Sequence, residues 1–434
     1  MVHHTMNTSS SNAPRASSKS SVMNLPGLVN KVYAWSARAM RRVGGRLSGL
    51  TLPLIIASAL LASCASPPMT GTPSVPPSVP PAIATEPALP GSRPGDSGPL
   101  PPALAQGKSR WVPVRWAELP GFEEDQLSEA WNAWLKSCER PGPKFAPLCS
   151  EVRRLSIATG QQQRDWMVSR LQPYRIETLQ GAADGLLTSY YEPVLKASRR
   201  AGSGYEVPLY KAPVGLGSRK PWFSRQDIDT LPEARSALQG REIAWLADPI
   251  DAMSLHIQGS GRLSILEADG VQRVVRVAFA GTNDQPYRSP AQWLQQQGVA
   301  SLPPPWTESM KAWAAQNPQR VNQLLWSNPR YIFFKEEALS DFDAAFGPKG
   351  AQGVALTPGR SIAVDPGSIP YGTPVWLAST GRTAKFQKLV LAQDTGSAIV
   401  GAVRADYFAG TGAEAGALAS TVNQPLRLWA LWPK

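Results

Sequence analysis

Leu127, Trp131, Trp134, Leu135 and Cys138 recur at helical spacing along one face of a segment opened by Glu123, Glu124 and Asp125. Acidic residues suit the positive end of a helix, so the pattern predicts one here. A second amphipathic stretch over residues 152–171 predicts another. Beyond it the repeat shortens to that of strands. Residues 185–195, 205–211, 242–247, 253–259, 262–267 and 271–279 carry β-branched, aromatic and alternating residues between Gly, Pro and Asp breaks. Glu267-Ala268-Asp269-Gly270 is a hairpin turn signal. Ser289-Pro290 opens a short helix, and residues 307–327 contain a longer one interrupted near Pro318. After Asn328-Pro329 strands resume to the C-terminus, with turns at Asp365-Pro366-Gly367 and Pro370-Tyr371-Gly372. Many short strands and few helices predict a mainly β protein built from barrels.

The N-terminal part has a different texture. Residues 65–106 are dominated by Pro, Ser, Gly and Ala, a composition that favours polyproline II and cannot bury a core. At about 3.1 Å per residue such a tether reaches roughly 120 Å. Before it, the apolar run Leu50–Leu61 follows Arg38, Arg41, Arg42 and Arg46. It is too short to span a bilayer and reads as the core of a signal peptide. It ends in Leu61-Ala62-Ser63-Cys64, which resembles the bacterial lipobox. That resemblance implies cleavage before Cys64 and a diacylglycerol on its thiol. Ala65, in place of an inner-membrane-retaining aspartate, points to the outer membrane of a Gram-negative cell, with the chain facing the periplasm.

Charge and cysteine usage narrow the chemistry. The formal charge is +12, but the first 64 residues hold seven Lys and Arg and no acid, leaving +5 for the remainder. No basic run of nucleic-acid type is left. Cys138 and Cys149 lie close together in a chain bound for an oxidising compartment, which points to a disulfide across the Pro-rich loop between them rather than to a metal site. One histidine, His256, follows Cys64, which argues against multi-histidine metal sites and histidine relays. Carboxylates are the expected proton carriers, with neither metal nor cofactor. Asp365 follows the apolar run 361–364, Asp394 follows 389–393, and Asp406 precedes Tyr407-Phe408. Desolvation at the end of an apolar run raises a carboxyl pKa, although each residue alone also fits a turn cap.

The words around the aspartates change that balance. Gln393-Asp394-Thr395-Gly396-Ser397-Ala398-Ile399, then Arg404-Ala405-Asp406-Tyr407-Phe408-Ala409-Gly410-Thr411-Gly412, resemble the triple-aspartate (3D) domain of the membrane-bound lytic murein transglycosylase A family. Tyr190-Tyr191-Glu192-Pro193, His256-Ile257-Gln258-Gly259-Ser260-Gly261, Ala280-Gly281-Thr282-Asn283 and Asn328–Phe334 match its pattern in the same order, and Gly359-Arg360-Ser361 continues it. The resemblance spans about residues 171–433. It implies a double-psi β-barrel with a second, smaller β-barrel inserted, N-terminal helices, and a substrate groove between the domains. On that map residues 1–63 are leader and signal peptide, 64–106 the lipidated cysteine and tether, 107–193 the helices and first part of the double-psi barrel, 194–327 the insert, and 328–434 the rest of the double-psi barrel.

The activity so implied is lytic cleavage of peptidoglycan between N-acetylmuramic acid and N-acetylglucosamine. A glycoside hydrolase ordinarily needs two carboxyl groups. In lytic cleavage the muramyl C6 hydroxyl attacks C1 of its own sugar, and one acid that then serves as base is enough. By the resemblance that acid is Asp406, with Asp394 in electrostatic support and Asp365 structural. Tyr190, Tyr191, Glu192, Gln258, Gly259, Ser260 and Gly261 are candidates to bind the glycan, Tyr through stacking faces and Gln258 and Ser260 through hydrogen bonds. Gly259-Ser260-Gly261 also reads as a hairpin turn, and His256 as a buried hydrogen-bonding residue. The expected partners are peptidoglycan strands and, through the lipid, a membrane; cell-wall synthesis or division proteins are candidate recruiters. A hydrolase using Asp394 to activate water, and a non-catalytic wall-binding lipoprotein, are the rival readings.

Overall fold

The computed structural model describes Asp96 and residues 98–434. The signal peptide, Cys64 and most of the tether lie outside the described residues. Among these residues no helix is long and apolar enough to cross a membrane. The strands are β1 Leu104–Gln106, β2 Ser109–Pro113, β3 Leu171–Thr178, β4 Gly185–Glu192, β5 Val194–Ser198, β6 Val207–Tyr210, β7 Glu242–Leu246, β8 Gly261–Leu266, β9 Gln272–Thr282, β10 Ile332–Ala338, β11 Ser361–Val364, β12 Pro374–Thr380, β13 Lys385–Asp394, β14 Arg404–Thr411 and β15 Asn423–Pro433.

Six strands close on themselves in the order β15-β12-β13-β11-β14-β4, and β4 pairs back to β15. Two of these ladders are parallel, β11 with β13 and β14 with β4. The others are antiparallel. This is the double-psi barrel. Its strands are apolar because their inward faces meet: Ile362, Val364, Val375, Leu377, Val390, Ala392 and Leu428 form one buried cluster with Leu187 and Tyr407. Burying one such branched aliphatic side chain contributes about 1.5–3 kcal/mol, so closure is driven by this shared core. β3, β2 and β1 extend the sheet beyond β15, and the fully buried Trp111 of β2 meets Trp432 edge-on at 5.1 Å. The tether composition therefore gives way to ordered strand at Leu104, a few residues earlier than the pattern indicates.

The helices pack outside the barrel. Helix Leu127–Ser137 buries Leu127, Trp131 and Trp134 against Trp376, Leu389 and Leu391. The stretch expected as one helix over 152–171 is broken into Cys149–Arg154, a 3-10 turn, and Gly160–Arg170. Thr159 stops the first run and starts the next, its hydroxyl capping Gln162 N–H while the Gln162 side chain caps Thr159 in return. The last position of that expected helix, Leu171, is already the first residue of β3. Cys138 and Cys149 are disulfide-bonded, Cα to Cα 5.6 Å, tying the first helix to the second. Arg360, 1 % exposed, reaches from the barrel to Asp125 at 2.8 Å and Glu129 at 2.9 Å.

The second sheet has the order β10-β9-β8-β5-β7-β6, with β5 and β8 parallel. It is curled so that its edge strands β10 and β6 approach each other, around Leu209, Ala244, Leu263, Ile265, Val277 and Phe334. The sheet continues past residue 327 into β10 before the chain returns to the barrel. The Glu267–Gly270 turn joins β8 to β9, with Gly270 at φ +81 donating to Glu267 O. Residues 253–259, whose pattern resembles a strand, lie instead in a helix, Pro249–Gln258. Asp248 caps it by accepting from Ile250 N–H at 2.7 Å, and Gly259 ends it at φ +82. The misreading has a physical cause: Ile250, Ala252, Met253, Ser254, Leu255 and His256 are all buried, so no polar face marks the helical period.

Where the chain passes from barrel to second sheet stands Glu192, with no exposed surface. Arg276 Nε approaches Oε1 at 2.6 Å and Arg262 Nε approaches Oε2 at 2.8 Å. Thr411, at the end of β14, donates to the same Oε2 at 2.8 Å. One carboxylate thus binds the last residues of β4 and β14 to β8 and β9.

Candidate active site

β14 runs between β11 and β4, with Asp406 opposite Ala363 on one side and Thr188 on the other. The register places the Asp406 and Thr188 side chains together, and Thr188 Oγ1 donates to Asp406 Oδ1. Asp406 is partly exposed on the wall of a groove of about 540 Å3. Thr188, Tyr190, Arg404 and Ile399 of the barrel form one side of this groove. Gln258, Tyr287, Trp306 and Arg330, from helices and loops of the segment that carries the second sheet, form the other. Of the residues lining it, Asp406 is the one carboxyl. Burial pushes its pKa up; the Thr188 hydrogen bond and Arg404 oppose this, Asp394 adds to it, and the balance lies above the ordinary carboxylate value. That is the direction a general acid requires.

Asp394 closes β13 behind the groove. Its Oδ2 accepts from Tyr190 Oη at 2.8 Å and its Oδ1 from Ala351 N–H at 2.9 Å. Burial raises its pKa against the pull of Tyr190, Thr395 N–H and Ala351 N–H. Tyr190 is a poor acid here: burial first, then the neighbouring Asp394, hold its hydroxyl well above the usual range. Its ring rests on Phe408, centroids 5.3 Å apart. Asp365, directly after β11, is 4 % exposed and is not among the residues lining the groove. It accepts from Gly401 N–H at 2.9 Å, Lys108 Nζ at 3.0 Å and Gly367 N–H at 2.9 Å. Burial opposes its charge, but the three donors outweigh it and the carboxyl sits below the ordinary value.

The upstream motif residues divide. Tyr190 and Gln258 line the groove. Gln258 Oε1 accepts from Tyr191 N–H at 3.0 Å, which fastens helix Pro249–Gln258 to β4. The Tyr191 ring lies over Gly416, where an added Cβ would come within 2.8 Å of it. Glu192 is enclosed in the arginine cluster described above, Gly259 is the left-handed helix cap, Ser260 is 8 % exposed, and Gly261 starts β8 against Leu255. Gly259-Ser260-Gly261 is therefore a helix-to-strand junction rather than a hairpin. His256 lines the groove but is 5 % exposed; its Nδ1 is 2.9 Å from Arg225 Nη2. Burial, with the Arg225 charge beside it, drives its pKa well below the usual value and leaves it neutral. Sequence reasoning misses Thr188 and Arg404. Strand alternation carries a signal for Thr188, two residues before Tyr190 on the same face of β4. No group of His, Cys, Asp and Glu among the described residues could hold a metal ion.

Barrel, second sheet and groove together define a mainly β enzyme with one carboxyl, Asp406, among the residues lining its groove. Residues 186–335 match the MltA specific insert domain and residues 360–432 the 3D domain. The chain belongs to the membrane-bound lytic murein transglycosylase A family. It is similar to the lytic transglycosylase LtgG of Burkholderia pseudomallei, with 40 % identity over 77 % of this chain and 98 % of that one, at a TM-score of 0.54. MltA from Neisseria gonorrhoeae in its monoclinic form shares 26 % identity over 79 % of this chain and 98 % of that one, with a TM-score of 0.64. The membrane-bound lytic murein transglycosylase A of Vibrio cholerae is 28 % identical over 57 % of this chain, and the matched part spans 65 % of that relative's length.

Proposed function

We propose that this enzyme cleaves the β-1,4 bond between N-acetylmuramic acid and N-acetylglucosamine and leaves 1,6-anhydro-N-acetylmuramyl ends, with Asp406 as both acid and base. The observation that carries this reading is the single groove-lining carboxyl. Asp406 gives its proton to the glycosidic oxygen as the C1–O bond breaks. The C6 hydroxyl of the same muramyl residue then bonds to C1, and its proton returns to Asp406. No water is consumed. The tethered nucleophile supplies the large effective concentration that a free water lacks.

A hydrolase would need a second carboxylate with an oxygen free to activate water. Asp394 does not meet that need, since it is not among the residues lining the groove and its carboxylate is turned to Tyr190 Oη and Ala351 N–H. Its role is to hold negative charge near Asp406 and to orient Tyr190, whose ring and Gln258 offer contact to sugars. Mass spectrometry of digested peptidoglycan tests the reading: anhydro ends are expected, whereas reducing ends or intact strands would overturn it. We assign residues 64–103 to a lipid-anchored tether at the outer membrane, on the strength of the Leu61–Cys64 lipobox. Cys64→Ser is expected to move the protein to the soluble fraction without loss of cleavage of added glycan; persistence in the membrane fraction would refute the anchor.

A further inference from the structure

Arg404 begins β14, two residues before Asp406 and across the parallel ladder from Leu186. Its Nη2 donates to Thr188 Oγ1 at 2.7 Å, and its Nη1 donates to the carbonyls of Leu186 and Ala405. The guanidinium is thus spread along the β4–β14 seam with its end at the groove wall. Arginine has five donors and no acceptor. Thr188 Oγ1 therefore accepts from Arg404, and its own proton goes to Asp406 Oδ1, the one acceptor it has among the described residues. The carbonyl oxygen is the stronger acceptor of a protonated carboxyl, so this bond favours Oδ1 as the carbonyl and Oδ2 as the carrier of the acid proton. Among the described residues no hydrogen bond reaches Asp406 Oδ2.

We infer that Arg404, acting through Thr188, is a positioning residue that places the transferable proton of Asp406 on Oδ2, the oxygen left free for the glycosidic bond. The inference rests on the reading of Asp406 as the acid. Without Arg404, the Thr188 hydroxyl is free to turn and accept from either Asp406 oxygen, and the proton loses its assigned place. A positioning error of this kind lowers turnover more than binding, because the interaction is realised as the proton moves.

The charged and titratable groups facing Asp406 are Arg404 on its own strand, Asp394 at the end of β13, Tyr190 on β4 beside Thr188, and Tyr287, Arg330 and the neutral His256 across the groove. Arg404 is the cation of this set whose charge lowers the Asp406 pKa. The protonated form is the active one, so activity falls as pH rises through that pKa. Removing the cation must move this alkaline limb to higher pH.

The test uses the full chain and soluble glycan strands. For Arg404→Met, kcat is expected to fall about tenfold with KM within about twofold, and the alkaline limb to rise by about one pH unit. Arg404→Lys, which keeps the charge and loses the fixed fork, should return the limb towards its original position while kcat stays low. In a Thr188→Val background, Arg404→Met should lower kcat by less than about twofold more, since the relay is already cut. An unmoved limb in Arg404→Met, or kcat losses that multiply in the double variant, would overturn the inference. Retained cleavage by Asp406→Asn would instead overturn the acid assignment beneath it.

Discussion

Asp406→Asn is expected to lower anhydro-product formation by about 10²–10⁴-fold while the protein keeps its fold. The replacement is nearly isosteric, and an amide oxygen can still accept the Thr188 hydroxyl that now meets Oδ1. What disappears is the transferable proton and, after bond cleavage, the base that collects the C6 hydroxyl proton. Among the described residues no other carboxyl lines the groove to take its place. Asp394→Asn should cost less, about tenfold, because it removes a neighbouring charge and weakens the hold on Tyr190 without removing the acid. Product yield by mass spectrometry, with circular dichroism to confirm folding, distinguishes the two. Cleavage kept by Asp406→Asn and lost by Asp394→Asn would reverse the assignment.

The second large effect is on stability. Glu192→Gln should destabilise the fold by about 3–5 kcal/mol, because it leaves two arginines without their buried counter-charge. Arg276 and Arg262 have side chains only 7 % and 12 % exposed, so solvent cannot replace what Glu192 supplies. Against a typical net stability of about 5–15 kcal/mol, that is a substantial part of the whole. Denaturant titration of the variant beside the parent gives the difference directly. A change below about 0.5 kcal/mol would mean that the cluster contributes little and that apolar contacts alone join the two sheets. The same substitution should leave the Asp406 carboxyl chemically intact, so whatever folded protein remains should cleave glycan.

Much of this architecture is legible in the sequence because barrel strands advertise themselves. The runs at 361–364 and 389–393 are apolar because both their faces are covered, and each ends in an aspartate whose surroundings are correspondingly dry. Asp406 is placed by its motif, and its partial burial agrees with the pKa direction argued from Tyr407 and Phe408. Helix Pro249–Gln258 is illegible as a helix because its buried faces erase the 3.6-residue period. Glu192 illustrates another limit. Its place in the Tyr-Tyr-Glu-Pro motif suggests sugar contact, but its partners Arg262 and Arg276 lie 70 and 84 residues away, and only the fold brings them together. Thr188 and Arg404 escape notice for the same reason: their significance comes from the β4–β14 register, between segments 218 residues apart.

Closure of the barrel by β15 also governs timing. β4 carries Thr188 and Tyr190, yet its neighbours β14 and β15 come from residues 404–433, far along the chain from it. Thr188 therefore lies on an unpaired edge until β14 and β15 have been made. Pairings across such sequence distances form late and slowly. A polypeptide interrupted before residue 404 lacks Asp406, and one lacking β15 has an open barrel around it. The groove wall that carries Asp406 thus assembles only once segments from both halves of the barrel have met.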